Sequence, residues 1–121
     1  MILVTSNPVQ QLLYFKYVGK VTAQEMRART DDIRGLLTSL KPGFRLLGDF
    51  ENLDSMDDDC AAEIGRVMDM LKKHGIELAV RVIPDAHKDL GLNILSVFHY
   101  GRSVRLVTCD TIGEALKIVK I

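Results

Sequence analysis

The chain has no tryptophan, two cysteines and three prolines in 121 residues, and its formal net charge is zero. Each scarcity excludes something. Cys60 and Cys109 lie far apart and form no metal-type spacing, so a disulfide framework or zinc motif is not expected. Two isolated thiols fit a reducing, cytoplasmic setting, where cysteine serves as a small buried hydrophobe. Lys plus Arg equals Asp plus Glu at 16 each, which argues against a general affinity for nucleic acid or anionic membrane. No apolar run approaches the ~18 residues that a membrane-spanning helix needs. The opening MILVTSNPVQQ has no basic n-region, long apolar core or small-residue cleavage site, so no signal peptide is expected. Repeats, linkers and low-complexity tracts are also missing, and residues 1–121 read as one domain.

What remains is an ordinary globular composition, 47% apolar and 26% charged, with enough chain for one core. Met1 to Thr5 reads as a short strand and Asn7-Pro8 as a turn. Leu12 to Val18, LLYFKYV, is aromatic and β-branched and reads as a second strand ended by Gly19. A short connection should pair these two antiparallel. The period then changes. Thr22-Ala23-Gln24-Glu25 is a capping box, with Val21 and Met26 at the staple positions. Met26, Ile33, Leu36, Leu37 and Leu40 form a helical stripe that Pro42-Gly43 stops.

Phe44 to Phe50 reads as a buried strand ending near Asp49. A loop follows, and then a helix faced by Ala61, Ile64, Val67, Met68 and Leu71. Lys72, Lys73 and His74 suit that helix's negative end, and Gly75 suits its stop. Ile76 to Ile83 is the next strand, and Asp85 can cap a third helix containing LGLNILSVF. Val104 to Thr108 is the last strand. Thr111 and Glu114 form a capping box for a final helix carrying Ile112, Ala115, Leu116 and Val119.

The order β-β-α-β-α-β-α-β-α predicts an α/β fold. A mixed, mostly parallel sheet of about five strands should carry about four helices, with an antiparallel edge from the first hairpin. In such a sheet the loops after the parallel strands emerge at one edge, where ligand sites gather. Those loops would bring together Asp49, the segment Asp54 to Asp59, Asp85 and Asp110. The run Asp57-Asp58-Asp59 invites two readings. Acids at a helix start satisfy free N–H groups and the positive dipole end. A cluster with Asp49 and Asp110 could instead offer oxygen ligands to Mg²⁺ for phosphoryl chemistry. One acid suffices for a cap, and three adjacent acids repel one another. Cys60 beside them reads as packing, and His74, His87 and His99 lack ligand-spaced partners. HYGRSVR, His99 to Arg105, reads as a solvated turn before a strand or a small interaction patch.

The organisation resembles the STAS family, named for sulfate transporters and anti-sigma factor antagonists. The resemblance runs from LLYFKYVGKVTAQEM to RLVTCDTIGEALKIV and is strongest between Arg45 and Gly75. In that family a buried strand ends in Asp, and a D-S-[ST]-G-L motif opens the second helix. Here Asp57, Asp58, Asp59, Cys60 and Ala61 fill the motif positions. The resemblance implies a non-enzymatic regulatory domain whose hydroxyl, after the first motif Asp, is phosphorylated by a partner kinase that is also the anti-sigma factor. Asp58 and Asp59 occupy the hydroxyl positions, each with roughly one permanent negative charge, where phosphate would bring about −1.5 to −2. Cys60 replaces the motif glycine.

The expected docking surface therefore comprises Asp49, Ser55, Asp57, Asp58 and Asp59. Its partner would be a protein such as an anti-sigma factor or serine-kinase-like protein. No cofactor is expected, and an exposed edge strand would permit a homodimer. An alternative function is a STAS-like domain holding a small apolar or lipid ligand between helix and sheet, with the third helix as the moving wall.

Overall fold

Apolar runs rich in β-branched and aromatic residues form the strands, and the stripes at helical spacing form the helices. A computed structural model describes residues 1–84 and 99–119. Within them lie β1 (Ile2–Asn7), β2 (Leu12–Val21), α1 (Ala23–Leu37), β3 (Arg45–Met56) and α2 (Cys60–His74). These are followed by β4 (Leu78–Val82), β5 (Arg105–Cys109) and α3 (Ile112–Val119). The helix expected after Asp85, with Asp85 and His87, lies outside the described residues.

The five strands form one sheet in the order β1-β2-β3-β4-β5. β1 and β2 pair antiparallel, and the other three neighbours pair parallel. Right-handed crossovers that each advance one strand in the same direction leave their helices on the same face. Accordingly α1 and α2 cover one face. Between them and the sheet lies the larger core, which includes Leu13, Phe15, Tyr17, Ile33, Phe50 and Leu71. Tyr17 and Phe50 stack there with ring centroids 4.3 Å apart, a pairing worth about 0.5–1.5 kcal/mol beyond its burial. The last helix, α3, covers the opposite face, where Ala115 and Val119 pack with Leu47, Val80 and Val82. Period-two alternation along β3 divides the cores, Leu46 and Phe50 on one side and Leu47 on the other. Arg45 ties the ends together, donating to Val119 O and, at 2.6 Å, to Gln10 O.

Several boundaries differ from the sequence reading. β2 does not stop at Gly19. It continues to Val21, with Gly19 at φ +66° and register shifts on both sides of the Val18–Gly19 step. α1 ends at Leu37, ahead of Pro42, and Leu40 is buried beyond the helix. The Thr22 hydroxyl accepts from Glu25 N–H at 3.2 Å, as the capping box requires. Glu25 does not reach back to Thr22. Its carboxylate accepts from Ile2 N–H at 3.1 Å and pairs with the Met1 amino group at 3.1 Å. The largest difference is β3, which runs through the expected loop to Met56. Gly75 closes α2 in the left-handed region at φ +100°, as predicted.

Candidate docking site at the start of the second helix

The length of β3 decides where the acids go. Asp49 pairs with Val82, and Val82 with Cys109, so Asp49 and Asp110 stand near the level where β4 and β5 end. β3 continues past Asp49 with β2 beside it, as far as Val21 opposite Met56. The β2 residues alongside, Lys16 to Val21, span roughly 16 Å at ~3.3 Å per residue, so Asp57 lies at least that far beyond Asp49 along the strand direction. The expected gathering of Asp49, Asp57–Asp59 and Asp110 at one edge therefore does not occur.

The backbone of the acidic run is held at both ends. Asp57 N–H donates to Val21 O at 3.1 Å, fastening it to the end of β2. Cys60 N–H then donates to Asp57 O at 2.9 Å, and Ala61 N–H to Asp58 O at 3.2 Å, so two peptide carbonyls lead into α2. Asp59 occupies the N-cap with helical dihedrals, φ −65° and ψ −15°, and its side chain makes no cap hydrogen bond. A side-chain cap needs the residue in the extended region. Among the described residues neither Asp57 nor Asp58 accepts a side-chain hydrogen bond either. The expectation that one of these acids caps the helix through its side chain is corrected: the carbonyls do that work, and the acids contribute only charge near the dipole's positive end.

All three side chains are exposed, as are Asp54, Ser55 and Glu51 on the overhang of β3. Met56, Asp57, Asp58 and Ala61 border a shallow depression. Exposed Lys20 is the register partner of Ser55 and sets a cation beside the acids. Behind them Cys60 is fully buried, its thiol directed at Val21 O at 3.7 Å. Burial raises the Cys60 pKa, and the neighbouring Asp57 charge raises it further, outweighing a backbone hydrogen bond that lowers it. The thiol is a packing group in this setting, as its sequence context implied.

Asp49 has a different environment. It is 4% exposed, and its carboxylate accepts from Tyr14 OH at 3.3 Å and from Glu51 N–H at 2.9 Å. Burial, followed by the Asp49 charge, raises the Tyr14 pKa. The structure thus brings Ser55 and Asp57–Asp59 into one exposed region and separates Asp49 from it. Among the described residues no group of three His, Cys, Asp or Glu side chains is arranged to hold a metal ion.

Two features carried no motif. Glu63, buried on the first turn of α2, bonds Arg66 and lies 3.7 Å from Arg27 on α1. It joins the two helices, and only its helical spacing to Arg66 was visible beforehand. A cavity of about 40 Å³ lies between α2 and the sheet, lined by residues including Phe15, Tyr17, Phe50, Met68, Arg81 and Tyr100. Gly48 on β3 leaves part of its wall without a side chain. Arg81 is buried, but its place inside an apolar run of β4 gave no sign of which face it would join.

Comparison with protein-family models and with curated proteins finds no match. Comparison with solved structures does. An uncharacterized protein of the DUF3478 family with a SpoIIAA-like fold, from Shewanella loihica PV-4, superposes with a TM-score of 0.73 at 16% identity. That match covers 98% of this chain and 92% of the other. The anti-sigma factor antagonist SpoIIAA in its unphosphorylated form gives 0.68 at 14% identity, over 99% and 98% of the two chains. The Bacillus cell fate determinant SpoIIAA in its phosphorylated form gives 0.67 at 13%, over 98% and 99%. The chain has a SpoIIAA-like fold over nearly its whole length, in agreement with the STAS resemblance of its sequence.

Proposed function

We propose that this chain is a non-enzymatic regulatory domain that works by protein–protein contact, docking its partner on the start of α2. One observation carries the reading: Asp57, Asp58 and Asp59 are exposed, and the fold uses none of their side chains as a cap. Three adjacent like charges are more than the dipole of one helix start needs, and they repel one another at some electrostatic cost. A partner with a complementary basic face would relieve that cost. The fold supports the same reading, because the anti-sigma factor antagonist SpoIIAA shares it and has been solved in phosphorylated and unphosphorylated forms.

The STAS resemblance puts Asp58 and Asp59 where a regulated hydroxyl would stand. Each carboxylate supplies roughly half the charge of a phosphate and cannot be removed by a phosphatase. The domain then acts as a switch held in a charged state. Its partner is a protein of the anti-sigma factor or serine-kinase-like class. Ser55 and Lys20, exposed at the end of the β2–β3 ladder, would border the contact.

The test is the Asp58→Ser/Asp59→Ser variant. It should become a substrate for a cognate serine kinase, and its affinity for a purified partner should change by about tenfold or more, equivalent to ~1.4 kcal/mol. Unchanged binding and no phosphorylation would assign the acids to the helix terminus alone.

The cavity beside Arg81 favours a second reading, in which a small apolar or lipid ligand enters between α2 and the sheet. Its location fits. Its volume of about 40 Å³ has room for only a few water molecules, at about 10–15 Å³ each, so a lipid-sized ligand would have to open it. Native mass spectrometry after gentle purification would show a retained ligand, and a clean apo mass would end this reading.

A further inference from the structure

Beyond the docking site, we propose that β1 is the surface through which two copies of this chain pair, edge to edge and antiparallel about a two-fold axis at Thr5. The ladder gives the first reason. Met1 and Val18 exchange both backbone hydrogen bonds, so Leu3, Thr5 and Asn7 also face β2. The N–H and C=O groups of Ile2, Val4 and Ser6 therefore point to the free edge. Glu25 covers Ile2 N–H. Among the described residues nothing covers Val4 or Ser6, and β1 contains no Lys, Pro or bulge of the kind that blunts an edge.

The strand is self-complementary in the register centred on Thr5. With Val4 opposite Ser6 of the second copy, the two residues exchange both bonds, and symmetry repeats the pair, giving four hydrogen bonds. Thr5 then faces its own copy, a favourable cross-strand pair. Ile2, whose N–H is occupied by Glu25, comes opposite Pro8, which has none to offer.

Apolar exposure points to the same place. The three large apolar side chains exposed among the described residues are Met1 at 50%, Leu3 at 46% and Val9 at 94%, all on or beside β1. The proposed register brings Met1 of each copy beside Val9 of the other. α1 borders a groove along Ile2–Thr5, and its acids there already hold partners within the copy, Asp32 with Arg29 at 3.1 Å and Asp31 with Arg34 at 2.6 Å, so no unpaired acid of this wall faces the edge.

Sedimentation equilibrium over a dilution series reaching the millimolar range tests this on the full chain. The parent should show a monomer–dimer equilibrium. Thr5→Lys puts like charges face to face on the axis, and Thr5→Glu does the same with opposite sign. Each should weaken dimerisation at least tenfold, and mixing the two should restore a dimer containing one copy of each. Val9→Asp, at a residue 94% exposed, should weaken the dimer without altering the circular dichroism spectrum. A parent that stays monomeric, or a dimer indifferent to Thr5→Lys, overturns the proposal. Neither result bears on partner docking at α2, which the Asp58→Ser/Asp59→Ser variant reads separately.

Discussion

Asp49 and Asp57 carry the same side chain eight positions apart, and the fold treats them oppositely. The first is buried with two hydrogen-bond donors, and the second is exposed with none on its carboxylate. Asp49→Ala should destabilise the chain by about 1–3 kcal/mol, because it removes a buried acceptor and strands its donors. Asp57→Asn and Asp58→Asn should each stay within about 0.5 kcal/mol of the parent. Urea unfolding at neutral pH measures both. A large loss from Asp57→Asn would mean that the exposed acid supports the helix after all. The acid inside FRLLGDF was visible in the sequence as an anomaly. Its partner was not, since Tyr14 lies on another strand. The capping box shows the same limit: Thr22 behaves locally as its spacing dictates, while Glu25 turns to the start of β1.

At the scale of elements, β3 is the instructive case. Its second half, Glu51 to Ser55, is largely polar and would not declare itself a strand alone. It becomes one because β2 runs beside it to Val21 and supplies ladder bonds. β-propensity reflects such neighbours more than any intrinsic preference. Two helical glycines carry a contrasting prediction. A Cβ at Gly35 on α1 would meet nothing within 4 Å, whereas one at Gly65 on α2 would lie 2.5 Å from His99 Nε2. His99 is held in place by Asp69, Nδ1 to Oδ1 at 2.7 Å. Gly35→Ala should therefore stabilise by about 0.5–1 kcal/mol through helix propensity. Gly65→Ala should lose that gain by displacing the imidazole, and the His99 ring resonances should shift. Equal stabilisation by both substitutions would show that His99 yields freely.

For the molecule as a whole, the resolved titration shifts run in one direction. Burial raises the pKa of Cys60, Cys109, Tyr14, Tyr17 and Tyr100. For an acid with a raised folded-state pKa, the unfolded chain releases its proton first. The stabilising contribution is whole below the unfolded pKa and is lost as pH rises toward the folded one. Unfolded thiols titrate near ~8.5 and phenols near ~10. Stability should thus be level through neutrality, begin to fall above about pH 8.5 and fall more steeply above about pH 10. Tyr17→Phe should flatten the steep part. A urea midpoint unchanged from pH 7 to pH 10.5 would contradict this.

The order of the described elements, the two capping-box hydroxyls, the left-handed stop at Gly75 and the hairpin at the edge were all legible in the chain, because each depends on residues a few positions apart. The SpoIIAA-like fold follows from that order, since right-handed crossovers and short connections leave few arrangements. Tertiary structure decided the rest. The pairing of β2 with β3 extended a strand through an expected loop and carried Asp57–Asp59 away from Asp49. It left the three acids exposed and buried the fourth. Those outcomes depend on which strand lies beside which and in what register, and contacts between distant segments set both.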